Sequence, residues 1–180
     1  MTALETLPDL LAPELEVVFV GINPGERSAQ LGHYYAHLGN GFWPALSASP
    51  LVGRPVGPED DQSLQRGERI GFTDVVKRVV TDSTEVTASE LRASELAFRG
   101  RIAGASPRAV CLTSSRAFDV LFPKVRAGGA WGRQPVTLEG ASVWVMPSTS
   151  GRAVRHRTHV HRVLAELAEF LGRGRLRGVA

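Results

Sequence analysis

Two short apolar runs in this sequence end on loops rich in hydrogen-bonding groups. Glu16-Val17-Val18-Phe19-Val20 leads into Gly21-Ile22-Asn23-Pro24-Gly25, and Val143-Trp144-Val145-Met146 leads into Pro147-Ser148-Thr149-Ser150-Gly151-Arg152. In the first loop the glycines permit a tight backbone path and Pro24 stiffens it, so peptide N–H groups can come close to a ligand. Asn23 adds an amide that donates and accepts hydrogen bonds but cannot act as a strong general base. The second loop offers hydroxyls, a glycine for close approach and a guanidinium. Asp74, in Gly71-Phe72-Thr73-Asp74, can serve as a base if it reaches the same place; placed before the apolar pair Val75-Val76, it reads equally as the cap of a helix. Ser114 and Ser115 follow a third apolar run, where a helix N-terminus can meet phosphate or simply be capped. His156, His159 and His161 do not share one helical face and have no carboxylate cluster beside them, which argues against a metal site.

These loops need a scaffold. Residues 16–20 and 108–113 read as buried strands, each running into turn residues. Residues 135–138 and 142–146 read as a hairpin across Glu139-Gly140. Phe42-Trp43-Pro44 opens a short helix with proline in its first turn, whereas residues 51–66 read as a surface loop. Thr87-Ala88-Ser89-Glu90 has the spacing of a capping box, and the helix after it runs toward Pro107. A helix follows Ser115 through Leu121, and Val160, Val163, Leu164, Leu167 and Leu171 predict an amphipathic helix near the C-terminus. Alternating strands and helices predict a three-layer αβα domain with a largely parallel central sheet. In that class ligands bind beyond the carboxyl ends of the strands, where the loops after Val20 and Met146 both fall.

The chain has 180 residues, 43% of them hydrophobic, which suits one domain over residues 1–171 with a basic tail at 172–180. No apolar run is long enough for a membrane-spanning helix. A single cysteine, Cys111, excludes an internal disulfide and any thiolate-built zinc or iron–sulfur site within one chain. With no secretory segment, a cytoplasmic setting is expected. Basic residues crowd the last quarter, among them Arg152, Arg155, Arg157 and Arg162, which fits either a polyanion partner or a solvated helix face. The serines lack a Gly-x-Ser-x-Gly elbow and a triad, which argues against a small-molecule hydrolase.

Taken in order, the first loop, Tyr34-Tyr35-Ala36-His37, Asn40-Gly41-Phe42-Trp43, Gly71-Phe72-Thr73-Asp74, Gly129-Ala130-Trp131-Gly132 and the second loop resemble the mismatch-specific branch of the uracil-DNA glycosylase superfamily over residues 11–171. The resemblance implies a monomeric DNA repair glycosylase without cofactor or metal. Such an enzyme extrudes a mispaired or damaged pyrimidine, uracil above all, from double-stranded DNA and hydrolyses its N-glycosidic bond. A weakly catalytic lesion-binding module is the alternative.

By that resemblance Asn23 positions the attacking water, the backbone of Gly21 and Ile22 faces the extruded base, and Tyr35 stacks on it. Ser28 lines the wall near the base's C5 position, or is an ordinary loop or capping serine. Arg152 is the wedge that fills the vacated space, and Ser115, Ser148, Ser150 and Gly151 meet the DNA backbone. Asp74 is not a fixed part of the pattern; as a second water-activating group it would broaden the range of bases released. The tail at residues 172–177 is expected to be mobile and to add salt-sensitive DNA affinity.

Overall fold

A computed structural model describes residues 5–126 and 128–174. Five strands form one sheet: β1 (Val17–Gly21), β2 (Ile70–Asp74), β3 (Ala109–Leu112), β4 (Gly132–Leu138) and β5 (Ala141–Val145), in the order β2-β1-β3-β5-β4. All pairings are parallel except β4 with β5. Around the sheet lie α1 (Glu26–Leu31), α2 (Phe42–Ser47), α3 (Asp61–Arg66), α4 (Ala88–Ala105), α5 (Ser115–Leu121) and α6 (Arg157–Phe170). Period-two alternation along β1 separates two cores. Val17 and Phe19 face α2, α3 and α6 with Phe72, Cys111 and Trp144, while Val18 and Val20 face α4 and α5 with Val110, Leu112 and Val143. The expected αβα domain is therefore present, and β1 and β3 are apolar on both faces because helices cover both.

Local chemistry explains several element ends. At α4, Glu90 N–H donates to Thr87 Oγ1 at 3.1 Å and Thr87 N–H to Glu90 Oε2 at 3.0 Å, the reciprocal capping box. Glu139 and Gly140 both have positive φ, 49° and 85°, the geometry of the tight turn that joins β4 to β5. Ser114 caps α5, its Oγ accepting from Ala117 N–H at 3.4 Å.

Three expectations are corrected. No helix follows Asp74: Val75 and Val76 N–H groups donate to the Gly21 and Ile22 carbonyls at 3.0 and 2.9 Å, so the chain continues beside the first loop and Asp74 caps nothing. Residues 51–66 are not simply a surface loop, because a turn of 3₁₀ helix and α3 form there, with Asp61 and Leu64 buried. Lastly, the start of the tail is anchored. Arg173 N–H donates to Ala168 C=O at 2.7 Å, and its guanidinium donates to the Leu51 and Glu68 carbonyls. The rest of the tail, residues 175–180, lies outside the described residues.

Candidate active site

The carboxyl ends of β1, β2, β3 and β5 carry the loops singled out above. Along the chain, β2 is laid on one side of β1 and β3 on the other, so the sheet's topological switch falls at β1, where a crevice opens in this class of fold.

Asn23 sits just beyond that point. Its Nδ2 donates to the carbonyls of Pro24 at 2.9 Å and Val80 at 2.8 Å. Carbonyls only accept, so these two contacts fix which end of the amide is nitrogen and which is oxygen. Oδ1 is thereby left buried with no hydrogen-bond partner among the described residues. An unpaired buried acceptor costs about 1–3 kcal/mol, so this oxygen is a seat for a donor such as water. Val80 N–H returns a bond to Pro24 C=O at 3.1 Å, closing a clasp between the first loop and the chain that leaves β2.

Asp74 ends β2 as the register partner of Gly21 and is 3% exposed. Its carboxylate lies over the Gly21 Cα so closely that any side chain there would collide with Oδ1, which explains why glycine occupies position 21. Oδ2 is buried and also without a partner among the described residues. Burial pushes the carboxyl up to about 7; Lys77 and Arg101 pull it down and Asp9 pushes it up. Arg101 reaches from α4 to donate to the Asp74 carbonyl at 2.7 Å, and it pairs with Asp9 at 3.4 Å. Asp9 in turn accepts from Lys77 at 2.9 Å and from the Thr73 hydroxyl at 2.6 Å.

Tyr35 approaches the same spot from the loop before α2. Its hydroxyl lies 3.2 Å from Thr113 Oγ1, and since the Thr113 proton goes to Val20 C=O at 3.1 Å, the tyrosine is the donor. The half-buried ring stacks on Phe42 at 4.2 Å between centroids. Burial and the nearby Asp74 carboxylate hold the phenol well above its ordinary range, so it remains neutral. Tyr35 has a left-handed backbone, φ 52°, unusual for a non-glycine residue. The next peptide is pinned by Ser28, whose buried Oγ accepts from Ala36 N–H at 3.0 Å. Tyr34 instead packs into the core, its hydroxyl bonded to Pro8 C=O at 2.9 Å.

The second loop lies against the turn before α2: Gly41 N–H donates to Thr149 C=O at 2.7 Å, and Gly151 packs on Gly39 C=O. Ser148 and Ser150 bond each other at 3.1 Å on the exposed side, and a cavity of about 280 Å³ opens between this loop, Leu38 and Arg157. The Arg152 side chain is 83% exposed and reaches Asp82 at 3.2 Å. Ser115 stands apart from these contacts; its hydroxyl accepts from the Trp131 indole N–H at 2.8 Å, and Trp131 packs on His156 and His159. A wider, open concavity at β4, lined by Arg133 and Thr137 among others, lies at the edge of the sheet, with β3 and β5 between it and β1.

The first loop, Asp74 and Tyr35 thus converge, while the second loop forms a separate rim. Sequence reasoning did not find the Val80 carbonyl, Thr113, Phe42, Arg101 or Asp82. Only Phe42 lay within a recognised motif; the others act through contacts between distant parts of the chain.

Residues 8–171 match the family model described as the uracil DNA glycosylase superfamily. Among solved structures, the chain is similar to a protein from Methanosarcina acetivorans, determined in solution by NMR and described as a candidate uracil DNA glycosylase. The two share 21% identity with a TM-score of 0.61, over 92% of this chain and 99% of the other. At that identity the likeness is one of fold.

Proposed function

Because the chain belongs to the uracil DNA glycosylase superfamily, we propose that it is a monofunctional DNA glycosylase of the mismatch-specific kind, releasing uracil from G·U pairs by extruding the base. The observation that carries this reading is the pair of buried oxygens without a partner among the described residues, Asn23 Oδ1 on the loop after Gly21 and Asp74 Oδ2 on the register partner of Gly21.

In this mechanism the extruded pyrimidine lies along Gly21 and Ile22 with Tyr35 stacked on its ring, and Ser28 helps to set the wall near C5. The glycosidic bond breaks ahead of water attack. Backbone N–H groups near Ile22 take up negative charge on the departing base, and the Asp74 carboxylate steadies the positive sugar. Water held by Asn23 Oδ1 then adds to C1′, and its proton passes to Asp74. A carboxylate whose acid sits near 7 accepts that proton more readily than an ordinary one at neutral pH. Arg152 fills the gap in the duplex and donates to the orphaned guanine, while Ser115, Ser148, Ser150 and Gly151 meet the backbone.

Single-turnover base release tests this on duplexes with one G·U, A·U or G·T pair and on single-stranded uracil, read by alkaline cleavage at abasic sites. Release from G·U exceeding A·U, with Asn23→Ala and Asp74→Asn each slower by roughly 10²-fold or more, is the expected result. Tight binding without release by the wild type would leave a lesion-recognition module instead. An Asp74→Asn rate equal to wild type would remove the second base.

A further inference from the structure

Arg152 is exposed but engaged. Its Nη1 donates to Asp82 Oδ2 at 3.2 Å, across the gap between the second loop and the chain leaving β2. Asp82 does not move with it. Its Oδ1 accepts from Thr84 N–H at 3.0 Å and from the Thr84 hydroxyl at 2.7 Å, and Arg116 of α5 holds the turn after it through the Ser83 and Val86 carbonyls. Two residues earlier, the Val80 carbonyl is clasped to Asn23. The carboxylate is therefore fixed to the body of the protein, and the arginine comes to it.

A guanidinium that enters a duplex must extend from its loop, stack between bases and turn its edge to the orphaned partner. A carboxylate fixed on the protein surface cannot follow it, and beside phosphates it would be repelled. Insertion and the Arg152–Asp82 pair are mutually exclusive.

On the reading of this chain as a base-flipping glycosylase, the geometry points to Asp82 as a positioning residue that holds the Arg152 wedge retracted on the protein surface until a weakened base pair admits it. The pair opposes insertion alone. A complex with matched DNA, in which no wedge is inserted, leaves it intact and bears no cost.

The test is a double-mutant cycle on duplex affinity. The lesion duplex carries a 2′-fluorinated deoxyuridine opposite guanine, which resists cleavage because fluorine destabilises the cationic sugar; a matched G·C duplex is the reference. Asp82→Asn keeps the Thr84 contacts and removes the charge. It is expected to tighten lesion binding about two- to fivefold, the range set by exposed ion pairs, and to lose that gain when Arg152→Ala is also present. On matched DNA it should act equally in both backgrounds. An equal gain on the lesion duplex in both backgrounds would show a carboxylate that merely repels phosphate, and no gain, or weaker binding, would show a pair that does not restrain the wedge; each overturns the inference. Uracil release by the wild type from an ordinary G·U duplex is measured alongside. Its absence sinks the glycosylase reading, whereas release without coupling sinks only the role of Asp82.

Discussion

Asp74 occupies its place at a cost in stability, and that cost is measurable. The unfolded chain releases the Asp74 proton near the ordinary aspartate value of about 3.9, whereas the folded protein keeps it up to about 7. Between those values the unfolded state is favoured by deprotonation, so stability falls as pH rises through the window and is level above it. The loss is about 1.4 kcal/mol for each unit of pH and of the order of 4 kcal/mol in all. Asp74→Asn, which cannot ionise, should melt higher than wild type at pH 8, with the advantage shrinking toward pH 4. Its activity should change the other way: wild-type base release climbs as pH passes about 7 and the base becomes carboxylate, while the variant is slow and flat. Asn23 cannot contribute to that slope because its amide does not titrate. Melts at pH 5 and 8 and single-turnover rates from pH 5 to 9 check both halves. A wild-type rate indifferent to pH would refute the assignment of Asp74 as the base.

At the scale of elements, the site depends on contacts that bring distant segments to one edge. Arg101, on α4, holds the end of β2 through the Asp74 carbonyl and shares Asp9 with Lys77. Its charge pulls the Asp74 acid down. Arg101→Met should therefore move the midpoint of the rate profile to higher pH and lower stability by about 1–3 kcal/mol, the cost of leaving partners unpaired. A purely structural residue would change the melt and leave the midpoint where it was. Nothing in the sequence around Arg101 announces this, since it is one basic residue among several on a capped helix. What the sequence does announce is local: the strand and turn at 16–25, the capping box of α4, the Glu139-Gly140 hairpin, and the helical spacing of Val160 to Leu171. β2 was hidden because its five residues are all buried and contain a glycine, so no period-two pattern marks them. Helix α3 was hidden by length, with only six residues amid proline, glycine and charge. For Asp74 the residue type indicated a base or a cap. The choice between them depends on the pairing of β2 with β1, two segments far apart along the chain, which local propensity does not encode.

For the whole molecule, the proposed function divides binding from chemistry. Beyond the switch point lie the buried Asp74 and the half-buried Asn23 and Tyr35, which on the proposed reading meet the extruded base. Around them the exposed face carries Arg152, Arg155 and Arg157 on the second loop and at the start of α6, with His161 on the rim of the neighbouring cavity. Charges on such a face act on phosphates, whose repeat is independent of sequence, and each neutralised phosphate releases counterions. Arg155→Ala and Arg157→Ala should therefore weaken lesion and matched duplexes by the same factor. Each should also flatten the dependence of log affinity on log salt by about one for every phosphate the variant no longer neutralises. Asn23→Ala should leave that slope alone, because its oxygen faces a buried seat and not the backbone of the duplex. Titrations of both duplexes across a series of salt concentrations decide the matter. If the arginine variants retain the wild-type slope, this face does not carry the phosphates, and the duplex must approach the buried groups from another side of the sheet edge.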